Sequence, residues 1–135
     1  MAKPNPNKFI RKAIYDLVNP VYPCYDMQVT GNLNPTQYVI ISTQDKTDVN
    51  PNKCTHRWEV STLLDIVCIY NGAGNTGSRV VNDDMEQAIR TLLENITITG
   101  YRVLIQNFEY PSNLDSSTST QVVYRNFIRL VLTLE

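Results

Sequence analysis

The sequence predicts an α+β domain in which a mostly antiparallel sheet carries two helices on one face, in the order α-β-β-β-α-β-β. Apolar residues recur at helical spacing in two segments and alternate with polar residues in two long ones. The strand-like segments also follow one another in consecutive runs, as antiparallel neighbours do. With 135 residues, the chain is expected to form a single domain spanning residues 1–135.

The first helix is predicted to begin at Pro6, with Asn5 as its cap, and to end near Asn19-Pro20. Its apolar stripe predicts packing against the sheet. The stripe consists of Phe9, Ile10, Ala13, Ile14, Leu17 and Val18, and the other side carries Lys8, Arg11, Lys12 and Asp16.

Two short strands are predicted next. Residues 21–29 contain Pro23, which allows at best an edge strand, and residues 37–43 are rich in β-branched and aromatic side chains. Residues 44–53, "QDKTDVNPNK", are rich in turn formers and predict a polar loop that projects from the body.

A long strand is predicted over residues 56–70, because the sequence alternates with period two. One face holds Trp58, Val60, Thr62, Leu64, Ile66, Cys68 and Tyr70, and the other holds Arg57, Glu59, Ser61 and Asp65. After a glycine-rich turn, Val81, Met85, Ala88, Ile89, Leu92 and Leu93 predict the second helix. Asp83, Asp84 and Glu86 lie near its positive N-terminal end.

The last two strands are predicted over residues 101–110 and 121–134, with a polar loop, "PSNLDSSTST", over residues 111–120 between them. In the final strand one face consists of Val122, Tyr124, Ile128, Leu130, Leu132 and Leu134. The other face carries Arg125, Phe127, Arg129 and Val131.

Gly72, Gly74 and Gly77 match the dinucleotide-binding pattern G-x-G-x-x-G between a strand and a helix. Three features argue against nucleotide binding. The preceding strand is polar on one face, no carboxylate ends the next strand about twenty residues later, and no βα crossover precedes the motif. The glycines are therefore interpreted as a turn, with Thr76 or Ser78 capping the second helix.

The cysteines and the single histidine do not form a recognisable metal or catalytic motif. Cys24, Cys54, His56 and Cys68 lack the close ligand pairs of zinc sites. His56 as a base with Cys54 or Cys68 as nucleophile is the remaining catalytic alternative. We expect reduced, mostly buried thiols, no catalytic residue, no cofactor and no metal.

The charge balance points to self-association. Twelve Lys and Arg residues face thirteen Asp and Glu residues, for a formal net charge of -1, with no basic cluster that would recommend nucleic acid as the primary partner. A small domain so close to neutral gains little solubility from its charge. The start "MAKPNPNKF" has no apolar core, so we expect no signal peptide, and no segment predicts a membrane span.

The layout resembles the tail-terminator, or tail-completion, family of tailed bacteriophages over nearly the whole chain. The resemblance is carried by "FIRKAIYDLV", "VYPCYDMQV" and "TQYVIISTQ", then by "HRWEVSTLLDIVCIYNGAGN" after a polar excursion. "DMEQAIRTLLENI", "YRVLIQNFEY" and "VVYRNFIRLVLTL" complete it. Family members commonly have a more compact loop where this chain has its long Asn- and Asp-rich segment.

The resemblance implies a non-enzymatic virion protein, made and assembled in the bacterial cytoplasm. It would form a ring, a hexamer or a dodecamer, at the head-proximal end of the tail. The ring would stop tail-tube growth and bind the tail-tube protein on one side and the head connector or portal-associated protein on the other. DNA would pass through only as cargo. The alternatives are another neck, connector or stopper ring, and, from a different class, a small nucleotide-binding enzyme that uses Gly72, Gly74 and Gly77.

The candidate interface lies in the two predicted loops and on three arginines. From residues 44–53 and 111–120 these are Asp45, Asp48, Asn50, Asn113 and Asp115. Arg57, Arg125 and Arg129 are expected to form pairs across the contact. The alternative is that both loops are solvated hairpin tips.

Overall fold

The computed structural model describes residues 5–26, 37–52, 55–71, 79–111, 114–115 and 121–135. The helices are α1 (Asn7–Val18) and α2 (Arg79–Leu93). The strands are β1 (Cys24–Tyr25), β2 (Gln37–Asn52), β3 (Thr55–Asn71), β4 (Val103–Glu109), β5 (Leu114–Asp115) and β6 (Gln121–Leu134). The predicted α+β class and the predicted order of its elements are confirmed, with the two-residue β5 as an addition.

One mixed sheet forms the body, in the order β1-β2-β3-β6-β4. The short strand β5 pairs with the N-terminal part of β6. All neighbours are antiparallel except β1 and β2, which run parallel. The long strands β3 and β6 lie at the centre, in a register that places Val60 opposite Leu132 and Leu64 opposite Ile128. The longest alternating segments of the sequence therefore form the middle of the sheet.

Both helices cover one face of this sheet, as predicted. Ile10, Ile14 and Val18 of α1 share one buried cluster with Met85, Ile89 and Leu93 of α2. The sheet contributes Val39, Ile41, Val60, Leu64, Ile66, Cys68, Ile128, Leu130, Leu132 and Leu134 to the same cluster. The predicted faces of β3 and β6 are thus confirmed, because burial of apolar area fixes the strand register.

The N-terminus of α1 is one residue later than predicted. Pro6 is the cap residue, and the Asn5 side chain accepts a 3.0 Å hydrogen bond from the backbone N–H of Asn7. Asn5 therefore caps the first turn as expected. At the other end, the Asn19 N–H donates to the carbonyl of Tyr15, and the helix ends before Pro20.

The prediction of a loop over residues 44–53 is wrong, because β2 continues to Asn52. Asp45, Thr47 and Val49 pair with Ser61, Glu59 and Arg57 of β3. We call residues 44–52 and 55–62 the distal hairpin. Its β2 arm is polar on both faces, so its sequence carries no hydrophobic alternation. Backbone pairing to β3 makes it a strand all the same.

Two further segments differ from prediction. Within residues 111–120, predicted to be a loop, Leu114–Asp115 forms β5 and pairs with Arg125 and Tyr124. Of the strand predicted over residues 21–29, only Cys24–Tyr25 is a strand, and residues 27–29 lie outside the described part. The edge position that Pro23 predicted is confirmed, and its carbonyl accepts a 2.9 Å hydrogen bond from the N–H of Val39.

Candidate assembly interface

The distal hairpin carries four of the predicted interface residues. Asp45 and Asp48 are both exposed. Their partners Ser61 and Trp58 lie on opposite faces of the sheet, so the two carboxylates point to opposite sides. Asn50 lies in β2, where only its backbone is described.

Arg57 lies at the start of β3, directly opposite Val49. Its side chain is half-buried, and its Nε is buried without a hydrogen-bond partner in the described part of the chain. A buried guanidinium N–H that lacks an acceptor costs free energy.

Arg125 and Arg129 already have partners within the chain. Arg125 donates a 2.7 Å hydrogen bond to Asp65, whose carboxylate is 9% exposed, and Arg129 lies 3.2 Å from Glu109 in a more exposed pair. Burial raises the pKa of Asp65 above its usual range, although the charge of Arg125 and its hydrogen bond lower it. The second oxygen of Asp65, Oδ1, is buried and unpartnered within the described residues.

Of the remaining predicted positions, the structure describes Asp115, which lies near the start of β6. Asp115 is in β5, opposite Tyr124, and its side chain is not described. Asn113 lies outside the described residues. The structure therefore does not bring the seven predicted residues that it describes into one site, since they spread along the whole length of β3 and β6.

The arginines share the sheet face that the helices leave uncovered. We call this the open face; it is lined by alternate residues of the central strands and of β4. It includes half-buried Leu63, Phe127 and Val131 beside Asp65, Arg125 and Arg129. On β4, Ile105 is 54% exposed. No described helix lies on this face, which is apolar enough to bind another protein surface.

Arg11 is a positioning residue that sequence reasoning missed. Its guanidinium donates to the carbonyls of Ile41 and Ser42 and to Gln44 Oε1, at 3.2, 2.7 and 2.7 Å, and pairs with Asp26. These bonds lie where the register between β2 and β3 shifts, between Ile41 and Gln44. Helical spacing placed Arg11 on the solvent side, and no sequence signal reveals the bulge.

A buried amide pair, also missed, fixes the start of α2 on β6. Asn82 donates from Nδ2 to Asn126 Oδ1 at 2.9 Å, and Asn126 Nδ2 donates to Asp83 at 3.0 Å. Asn82 and Asn126 are 1% and 3% exposed. The thiol of Cys68 lies 3.4 Å from the Asn82 oxygen. Because buried polar groups need partners, this network ties one helix position to one strand position.

The residues of the chemical alternatives are described only in part. Cys24 and Cys68 are buried and free, and burial raises the pKa of each thiol to about 11. No three His, Cys, Asp or Glu side chains of the described residues lie close enough together to hold a metal ion. Cys54 and residues 72–78, with the glycine motif and its capping residues, lie outside the described part, and of His56 only the backbone is described. None of the helices in the described segments is long and apolar enough to cross a membrane.

No protein-family model matches the chain, and no curated protein matches it in sequence. Its fold matches a chain in the solved structure of the virion of a native gene transfer agent (GTA) particle. The TM-score is 0.68 at 12% sequence identity, and the match covers 97% of this chain and 99% of that chain. At this identity the likeness shows that the two chains share one fold from end to end.

Proposed function

We propose that this protein is a non-enzymatic structural subunit of a phage-like virion that forms a ring at the head-proximal end of the tail. The ring ends growth of the tail tube and joins the tail to the head connector. The observation that carries the proposal is the end-to-end fold match to a chain of a virion particle. The layout of the sequence, which resembles the tail-terminator family, supports the same role independently.

The surfaces of the subunit suit a ring. In a cyclic ring each subunit presents two different surfaces to its neighbours, so it needs more than one exposed face capable of contact. The open face offers apolar side chains between ion pairs, and the distal hairpin offers polar ones for a partner along the ring axis. Neither surface carries a set of residues arranged for catalysis among the described positions.

The distal hairpin is the best candidate for the axial contact with tail-tube or connector protein. Asp45 and Asp48 are exposed there, and half-buried Arg57 lies in the same hairpin, opposite Val49. Arg129 can change partner at little cost, because its pair with Glu109 is exposed. Arg125 would have to keep its buried bond to Asp65 while contacting a neighbour. Residues 111–120, with Asn113 and Asp115, form the second candidate contact.

Another neck ring, such as a connector or stopper between portal and tail, is supported by the same fold match. The two roles predict different particles when the gene is deleted from a strain that makes the virion. Loss of a terminator leaves tail tubes of uncontrolled length that do not join heads. Loss of a stopper or connector leaves tails of normal length and heads that lose DNA. Normal particles in the deletion strain would contradict both roles.

A point substitution tests the hairpin contact without disturbing the fold. Deletion of residues 112–119 is less specific, because it also removes the β5 pairing with β6. Asp45→Lys reverses one exposed charge, and we expect it to abolish joining of tails to heads in complementation of the deletion strain. Asp84→Lys, which reverses an exposed charge on α2, is the matched control and should complement fully. Full complementation by both would show that Asp45 is merely solvated.

A further inference from the structure

The two helices pack side by side on the sheet, with α1 toward β2 and α2 over β3 and β6. Arg11 fixes α1 to β2, which neighbours the edge strand β1. On α2, the guanidinium of Arg90 lies 4.9 Å from the ring centroid of Phe108 in β4, the opposite edge strand. Each helix therefore has an outer flank that faces one lateral end of the molecule.

The outer flank of α1 is basic. It carries Lys8, Arg11 and Lys12 along a groove of about 430 Å³ that Tyr15 also lines. Arg11 pairs with Asp26 and Lys12 pairs with Asp16, so the charge of Lys8 is in excess. Lys8 is exposed and forms no salt bridge with any described residue, and its ammonium lies 5.0 Å from the ring centroid of Phe9.

The outer flank of α2 is acidic. Glu86 lies one turn before Arg90 on the same side of the helix, with Asp83 beside it. Arg90 pairs with Glu94. Asp83 and Glu86 form no salt bridge with any described residue, and they outnumber Arg79, which lies on the same side with its guanidinium 4.5 Å from the ring centroid of Tyr124. This flank therefore has an excess of negative charge. Partial burial and the neighbouring charge of Asp83 raise the pKa of Glu86.

Both ends of the molecule also carry exposed apolar side chains and open strand edges. Tyr15 is 43% exposed beside the basic flank, and Tyr110 is 50% exposed just after β4. Among the described strands, β4 pairs only with β6, and β2 beyond Ile41 pairs only with β3. An unpaired edge is a surface on which another chain can add.

We propose that the basic flank of α1 in one copy of this chain docks against the acidic flank of α2 in the next copy, head to tail. This proposal depends on the proposed function, assembly into a ring. The contact supplies the two different surfaces that each subunit of a cyclic ring presents to its neighbours. The occupant is a second copy because the two flanks complement each other in charge and lie at opposite ends of one subunit. A like pairing, α1 to α1 or α2 to α2, would bring like charges together.

Charge reversal on each flank tests this contact. One variant combines Lys8→Glu with Lys12→Glu, and the other combines Glu86→Lys with Glu94→Lys; all four side chains are exposed or half-exposed. Each variant alone should remain folded and monomeric at concentrations at least tenfold above those at which the natural chain assembles. An equimolar mixture should restore assembly, because every contact in an alternating ring then joins unlike charges. Asp84→Lys, which reverses an exposed charge on a different face of α2, is the control and should assemble like the natural chain.

The outcomes separate this inference from the proposed function. If either variant assembles alone like the natural chain, the proposed contact between the flanks is wrong, but the proposed function as a ring is not contradicted. If both are folded monomers that also fail to assemble when mixed, the contact is not head to tail between these flanks. If the natural chain itself assembles under no condition, even with the other virion proteins, the proposed function fails as well. Circular dichroism and thermal unfolding of each variant establish that it is folded.

Discussion

The guanidinium of Arg11 in α1 donates a 2.7 Å hydrogen bond to the carbonyl oxygen of Ser42 in β2. Ser42 lies in the interval where β2 slips relative to β3, and such a bulge leaves backbone groups outside the ladder. The planar fork of arginine can meet several acceptors at once. Hydrogen bonds as well as apolar packing therefore fix α1 on the sheet.

Arg11→Ala should lower the free energy of unfolding by about 2 kcal/mol. The substitution removes hydrogen bonds from a charged donor and leaves the carbonyls of Ile41 and Ser42 without that donor. Arg11→Lys should recover only part of this loss, since an ammonium cannot reproduce the fork. Urea denaturation of a monomeric sample measures both.

The control for Arg11 is Arg102→Ala. Arg102 forms an ion pair with Glu135 and is 73% exposed, so its loss should cost less than about 1 kcal/mol. Equal costs at the two positions would show that Arg11 contributes no more than a surface charge, and the positioning role would be wrong.

Asn82 and Asn126 should prove energetically coupled. Either Asn82→Ala or Asn126→Ala leaves a buried amide without its 2.9 Å partner and should cost about 1–3 kcal/mol. The double variant should cost less than the sum of the two single variants, because the second substitution removes the group that the first left unpaired. A double-mutant cycle by chemical denaturation measures the difference, and additive costs would contradict the network.

Asp65 should make the natural chain less stable as the pH rises. Its pKa is raised in the folded chain, whereas the unfolded chain releases the proton near the ordinary value of about 3.9. Between these two pKa values the folded state binds more protons than the unfolded state, so stability falls with rising pH and the loss is complete above the folded pKa.

The measurement is the free energy of unfolding of the natural chain minus that of Asp65→Asn, followed from pH 4 upward. The variant cannot titrate at this position, so the difference should become less favourable to the natural chain as the pH rises and then level off. A difference that grows with pH would mean that attraction to Arg125 outweighs the burial of the carboxylate.

Cys24 and Cys68 should be almost unreactive in the folded protein. With each pKa raised to about 11, roughly one thiol in a thousand is ionised at pH 8, and the thiolate is the reactive form. In a Cys54→Ser variant, both thiols should react with a soluble disulfide reagent at least about a hundredfold more slowly when folded than in denaturant. Rapid reaction of either thiol in the folded state would contradict their burial.

The fold was predictable where apolar burial sets the period of the sequence. Ile10 and Ile14 define α1, and Val60 and Leu64 alternate through β3, because one face of each element must leave water. β2 beyond Ile41 was not predictable, since Asp45 and Thr47 are held by backbone pairing that leaves no trace in side-chain polarity.

The interface was predictable in part. The exposure of Asp45 and Asp48 followed from a polar segment, whereas the internal partners of Arg125 and Arg129 depend on how β6 registers with β3 and β4. The sequence shows that an arginine can form an ion pair. Only the register between β3 and β6 decides whether Asp65 or a second molecule supplies the carboxylate to Arg125.

The central claim, assembly into a ring, is tested most directly by the mass of the purified chain. Light scattering on a sizing column should give six or twelve times the mass of one chain at concentrations where the subunits associate. Negative-stain images of that peak should show closed rings with a central channel. A monomer at every concentration, alone and with the other virion proteins, or a twofold dimer without a channel, would contradict the account.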